Sequence, residues 1–179
     1  MSDSARPGGL LGGRERALRL LAEGGMLHGA LEILVHAAEA ESDGGFRASI
    51  LLLDDDRKHL RHGAAPSLPA EYNQAIDGIE IGPRVGSCGT AAHFGHAIVV
   101  TDIARDPLWA DFRDLALPLG LRACWSTPFL THTGAVLGTL ALYYAEARGP
   151  SELDRDIVKY TATSAAMAVE RARVHRSGG

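Results

Sequence analysis

The sequence predicts an α+β domain in which terminal helices cover one face of a mainly antiparallel sheet. Two observations lead there: apolar residues recur at helical spacing near both ends of the chain, and apolar runs between them come in pairs joined by turn residues. A third bounds the size, since 179 residues, 46% hydrophobic and 22% charged, supply one ordinary globular core.

Residues 1–13, rich in Gly, Ser and Pro, read as a disordered tail. From Arg14 to Ala40 the positions Leu18, Leu21, Met26, Leu27, Leu31, Leu34, Val35 and Ala38 follow helical spacing, with a break at Gly24-Gly25 that divides them into a short and a longer helix. Ser42-Asp43-Gly44-Gly45 ends the second. Arg47 to Leu53 and His59 to Ala64 then form a hairpin about Asp54-Asp55-Asp56. No glutamate follows these aspartates at calcium-loop spacing, so they read as a polar turn.

A short helix opens at Pro69-Ala70-Glu71-Tyr72, and Ile79 and Ile81 mark a brief strand closed by Gly82-Pro83. Ser87 is expected to cap a helix over about Gly89 to Phe94, with a strand at Ala97–Thr101 and a long loop from Asp102. In Pro107–Leu117 the spacing of Leu108, Trp109, Phe112, Leu115 and Ala116 predicts an amphipathic helix capped by Asp106. Arg122–Leu130 and Ala135–Ala145 form a second strand pair about Thr131-His132-Thr133-Gly134. Ser151 with Asp154 predicts a capping arrangement for a long helix from Glu152 to Arg173.

A formal charge of −4 without a basic stripe argues against nucleic acid as a direct partner. There is no run of eighteen apolar residues and no basic-then-apolar leader at the amino terminus, so a cytoplasmic location without membrane association is expected. Two cysteines without zinc-knuckle spacing suit a reducing compartment, with neither a structural metal nor a cofactor implied. Asp102, Asp106 and Asp111 are read as turn and capping groups rather than as catalysts or ligands.

The segments GSCGTAAHFG, VVTDIARDPLW, GLRACWSTPF and GAVLGTLALYYAEARGPS, in this order, resemble a GAF domain of the bacterial signalling type over residues 14–173. The resemblance implies a single domain over 14–175 with a tail at 176–179. It also implies a GAF-like (profilin-like) six-stranded antiparallel sheet, with terminal helices on one face and a pocket made by loops and short helices on the other. The function implied is sensory: a small molecule of unknown identity binds in the pocket, and its state passes through the terminal helices and a homodimer to an output module outside the chain.

Within the same superfamily, free methionine-(R)-sulfoxide reductases share the pattern at Gly86-Ser87-Cys88-Gly89. Their reactive cysteine, pocket glutamate and acidic pair fall here near Leu117, Cys124, and Ala141 with Tyr143, which supply neither that nucleophile nor the counter-charge. No catalytic residue and no enzyme activity are therefore expected. A thiol-dependent oxidoreductase using Cys88 and Cys124 is one alternative; a GAF fold with a filled pocket, kept for dimerisation, is another.

If the position matching that glutamate faces inward, alternation turns Cys124, Ser126, Thr139, Ala141 and Tyr143 to the pocket and Trp125, Leu140 and Leu142 to the helices. Cys88, Thr90 and Leu117 complete the expected lining, with Trp109 and Phe112 as lids, and such a wall suits an uncharged or aromatic ligand. Bilin attachment is not expected, because Gly89 follows Cys88 and Trp125 follows Cys124. Nor is haem, since His93 and His96 read as surface or capping residues. Arg105, Arg113 and Arg122 lie near the region without a defined phosphate site, and no P-loop occurs.

Overall fold

The computed structural model describes residues 9–178. Gly24, at φ +84°, breaks the amino-terminal apolar pattern into α1 (Leu10–Ala22) and α2 (Leu27–Glu41). Helix α1 starts inside the stretch assigned to a tail, so residues 10–13 are helical, while residues 1–8 lie outside the described residues. Gly13 sits against Ala37, where a Cβ would come within 2.6 Å of the alanine methyl, so close helix packing rather than disorder accounts for this glycine.

Six strands follow: β1 (Arg47–Leu53), β2 (His59–Ala64), β3 (Ile79–Glu80), β4 (Ile98–Val100), β5 (Ala123–Leu130) and β6 (Val136–Tyr144). They form one antiparallel sheet in the order β3-β2-β1-β6-β5-β4. The β1–β2 connection is the polar turn expected: Asp54 accepts from the Asp55 amide and Arg61, and Asp56 accepts from the Lys58 and His59 amides. Gly134, at φ +88°, closes the β5–β6 hairpin. In the middle of β6, Gly138 has no room for a side chain, because a Cβ would run into the Leu51 carbonyl and the Phe129 ring.

One face of the sheet carries Trp125, Phe129, Leu140, Leu142 and Tyr144 against α1, α2 and α6 (Glu152–Ser177). Helix α6 opens with the expected capping box, Ser151 and Asp154 each accepting the other's amide, and it runs through Ser177, so residues 176 and 177 belong to the helix rather than to a tail. The other face carries Leu51, Leu53, Cys124, Ala141 and Tyr143, covered by α3 (Ala70–Ile76), α4 (Gly86–Phe94) and the segment between β4 and β5. Two unlike faces, helices on one side and short elements on the other, make this the six-stranded α+β fold expected.

Two local expectations are corrected. Helix α4 starts at Gly86, and Ser87 lies within its first turn instead of capping it; Gly86 adopts φ +55°, a conformation that lets the chain enter the helix earlier than the capping pattern suggests. The 107–117 segment is not one helix. It divides into a 3₁₀ turn at Pro107–Trp109, the single turn α5 (Arg113–Ala116) and a second 3₁₀ turn at Leu117–Leu119. The Phe112 amide bonds the Trp109 carbonyl at 2.9 Å, and this tighter i to i+3 spacing turns both rings toward the sheet. Asp106 does cap the first turn, accepting from the Leu108 amide at 2.9 Å.

Candidate functional site

Strand register assembles the site's floor. Cys124 stands opposite Tyr143, Ser126 opposite Ala141, and Ala141 in turn opposite Ser49 of β1, while Thr139 pairs with Leu51 and Pro128. All these residues are buried, and alternation puts the five predicted floor residues on the face away from α1, α2 and α6. Above them α4 supplies Cys88, and α3 supplies Tyr72, which donates to the Tyr143 hydroxyl at 3.1 Å with the rings edge-to-face at 5.6 Å. The Cys88 sulfur lies 3.9 Å from that same Tyr143 hydroxyl.

The lid is Trp109 with Phe112, edge-to-face at 6.2 Å. The Trp109 indole N–H donates to the Ser87 hydroxyl at 3.0 Å, and Ser87 donates onward to the Cys124 carbonyl at 3.4 Å. Lid, helix and floor are thus joined by one chain of hydrogen bonds through a residue expected only as a helix cap. Ile103 and Leu121, both fully buried, anchor the ends of the lid segment, and the Ile103 amide bonds the Arg122 carbonyl at 2.9 Å.

Of the predicted lining residues, Cys88, Trp109, Phe112 and Tyr143 border the free space beneath the lid, Cys124, Ser126, Thr139 and Ala141 lie on the same sheet face without bordering it, and Thr90 and Leu117 belong elsewhere. The Thr90 hydroxyl donates to the Gly86 carbonyl at 2.7 Å and accepts from the Val85 amide at 3.0 Å, so it secures the helix entrance. Leu117 is only half-buried and packs at the margin of the cluster. Conversely, Tyr72 and Ser49 were not anticipated. The Tyr72 and Ile76 pair at i, i+4 was the available signal for the first, and the parity of Ser49 with Leu51 for the second.

Between lid and floor the free space is about 20 Å³, roughly enough for one water molecule. Its lining, which includes Tyr72, Val85, Cys88, Trp109, Phe112 and Tyr143, carries no charged side chain. A larger groove, of about 420 Å³, lies at the far end of the helical layer near Leu21, Met26, Leu27, Ala172 and His175. His93 and His96 are exposed and pack on Phe94 at the end of α4, turned away from the floor. Arg105 is exposed beside Asp102, and an Arg113 terminal nitrogen donates to the Asp106 carbonyl at 3.0 Å.

The site is polar in a particular way. The hydroxyls of Ser49, Ser126 and Thr139 are buried without an oxygen or nitrogen partner, and those of Ser126 and Thr139 are turned to the Cys88 sulfur. Around the two thiols, hydrogen bonding from Cys124 first, then from Ser126, Thr139 and Tyr143, lowers the Cys88 pKa against the opposing effect of burial. Burial, then the bond to Cys88 and its charge, push Cys124 the other way. Burial likewise raises the phenols of Tyr72 and Tyr143. Among the described residues no group of three or more His, Cys, Asp or Glu is disposed to hold a metal, and no helix is long and apolar enough to cross a membrane.

Comparison with known proteins agrees with this geometry. A methyl sulfide methyltransferase-associated sensor from Methanosarcina acetivorans is 37% identical over 157 residues, covering 88% of this chain, although the chain spans only 16% of that sensor's length. A domain of a putative two-component sensor histidine kinase protein from Sinorhizobium meliloti superposes with a TM-score of 0.69 at 20% identity, covering 86% of this chain and 99% of that domain. The free methionine-R-sulfoxide reductase of Neisseria meningitidis superposes with a TM-score of 0.65 at 18% identity, covering 90% and 89%. Residues 27–170 match the GAF domain family, and with the sheet order and the two unlike faces described above this chain belongs to that family.

Proposed function

We propose that this chain is the sensory module of a signal-transduction protein, a non-catalytic GAF domain that takes up a compact uncharged ligand between the Trp109–Phe112 lid and the β1–β6–β5 floor. One observation above all supports this: three buried hydroxyls without an oxygen or nitrogen partner, Ser49, Ser126 and Thr139, stand on the sheet face beneath the lid, just outside the border of the small free space. Each costs about 1–3 kcal/mol while unsatisfied, an energy that a ligand with hydrogen-bonding groups recovers. The kinship to a sensor protein supports the same reading. With about 20 Å³ of free space, the conformation described is the closed one, and uptake requires the lid segment to swing outward about its buried ends at Ile103 and Leu121.

Output runs through β6. Tyr143 faces the site, while its neighbour Tyr144 faces the helical layer and donates to Asp154 of α6 at 3.0 Å. A homodimer through the terminal helices carries the signal to a module outside this chain.

The test is a thermal-shift screen of aromatic acids, nucleosides and amino-acid derivatives on wild type, Ser126→Ala and Thr139→Val. Without ligand the two variants match or slightly exceed wild type in stability, since each removes an unsatisfied group. The compound that stabilises wild type loses that effect on them. A screen in which no compound shifts any of the three favours the second reading, a filled pocket kept for assembly, to which the small free space gives direct support. A reductase of the free methionine sulfoxide type is disfavoured by the absence of any charged residue from the described lining.

A further inference from the structure

We propose that Cys88 and Cys124 are a redox pair that closes into an intrachain disulfide on two-electron oxidation by a hydroperoxide, fastening α4 to β5. The two cysteines come from different elements and converge beneath the lid in one buried cluster, with Ser87, the neighbour of Cys88, donating to the Cys124 carbonyl at 3.4 Å. The Tyr143 hydroxyl, on the residue opposite Cys124, lies 3.9 Å from the same sulfur. Neither cysteine is engaged in a disulfide in the state described.

The geometry also assigns the order of attack. Cys88 is 6% exposed and lines the small space bounded by half-buried Ile79 and Phe112, whereas Cys124 is 0% exposed beneath it. Cys88 lies in the first turn of α4, where the helix dipole favours a thiolate, and the Cys124 hydrogen bond adds to that preference. The Cys88 thiolate attacks one peroxide oxygen: an S–O bond forms, the O–O bond breaks, and the other oxygen leaves with a proton as water or an alcohol. Cys88 is then a neutral sulfenic acid.

Burial, the largest cause of the raised Cys124 pKa, persists, while the lesser causes, the hydrogen bond to Cys88 and its charge, are removed by that first step. Cys124 gives up its proton and attacks the Cys88 sulfur; the S–S bond forms, the S–O bond breaks, and hydroxide departs with the proton as water. The sulfurs together lose two electrons and the peroxide gains two. Ser87, next to Cys88 and bonded to both Trp109 and the Cys124 carbonyl, transfers the resulting shift of the α4 first turn to the lid. None of this requires a bound ligand, so the thermal-shift screen and the thiol chemistry stand or fall separately.

The test treats the reduced full chain with hydrogen peroxide, denatures it in iodoacetamide, and maps its peptides. The expected product has lost two hydrogens, carries no alkyl group on either cysteine, and yields a linked peptide pair joining Cys88 to Cys124 that dithiothreitol separates. In Cys124→Ser, dimedone traps a sulfenic acid at Cys88; in Cys88→Ser, Cys124 stays a thiol. Wild-type protein in which both cysteines still alkylate fully, in which Cys88 proceeds to sulfinic acid unlinked, or in which the linkage joins two chains overturns the proposal. The wild-type map decides even if neither variant folds.

Discussion

Tyr143 touches three of the groups that matter here: Tyr72 donates to it, Cys88 lies against it, and Cys124 pairs across from it. The two phenols are not equivalent. Removing the Tyr72 hydroxyl deletes one hydrogen bond and leaves the Tyr143 hydroxyl a neighbour in the Cys88 sulfur, at about 0.5–1.5 kcal/mol. Removing the Tyr143 hydroxyl strands that of Tyr72 in a dry compartment, at about 1–3 kcal/mol. Urea denaturation of the two Tyr→Phe variants is expected to show this ordering, with the double variant less destabilised than the sum. Gly138→Ala, which drives a methyl into the Leu51 carbonyl and the Phe129 ring, is expected to cost at least the 1–3 kcal/mol typical of overpacking in the same assay.

At this scale the floor was legible in the sequence and its contacts were not. Strand parity placed Cys124 with Ser126 and Thr139 with Ala141 and Tyr143, and the family resemblance chose which face they share, since a period of two leaves only that choice open. Tyr72 and Ser49 reach the same place from α3 and β1, and their approach depends on packing between elements distant in the chain. Thr90 shows the converse: its hydroxyl is taken up by its own helix turn, a local competition that spacing does not reveal.

The elements near the lid depart most from periodicity. Apolar spacing over 107–117 fits one helix, yet Trp109 and Phe112 must both reach inward while Pro118 interrupts the backbone beyond, and two 3₁₀ turns around a single α-turn meet those demands. Two of three capping expectations held: Asp106 caps its turn and Ser151 with Asp154 forms the box, whereas Ser87 lies inside α4. Asp154 does more than cap, since it also accepts from Tyr144 at 3.0 Å and pairs with Arg148 at 2.9 Å. Asp154→Ala therefore removes a cap and leaves a buried phenol without its acceptor, an expected loss of about 2–4 kcal/mol by thermal or chemical denaturation. In a ligand-responsive domain it also weakens the link between the site and α6.

At the scale of the molecule, the three largest fully buried side chains among the described residues are Tyr72, Tyr143 and Tyr144, and burial raises the pKa of each. A folded-state pKa above the unfolded value means stability that is complete below the unfolded phenol pKa, about 10, and that falls as pH rises beyond it. Each tyrosine held neutral adds up to about 1.4 kcal/mol per pH unit to that decline. Stability is therefore expected to be flat with respect to these groups at neutral pH and to collapse cooperatively above pH ~10, with tyrosinate absorbance from these three phenols appearing only as the protein unfolds. Early, gradual tyrosinate absorbance from Tyr72, Tyr143 and Tyr144 in folded protein would contradict the burial described.

The sheet stops in β3, two residues long, on one side and in β4, three residues long, on the other. Such stubs offer an incoming strand few free amides and carbonyls to zip onto, so lateral growth into ribbons or fibrils finds almost no template. Copies that meet are left to recognise one another by side chains, where specificity is cheap to encode and reversal is easy, a useful property for a part whose neighbours must be able to let go.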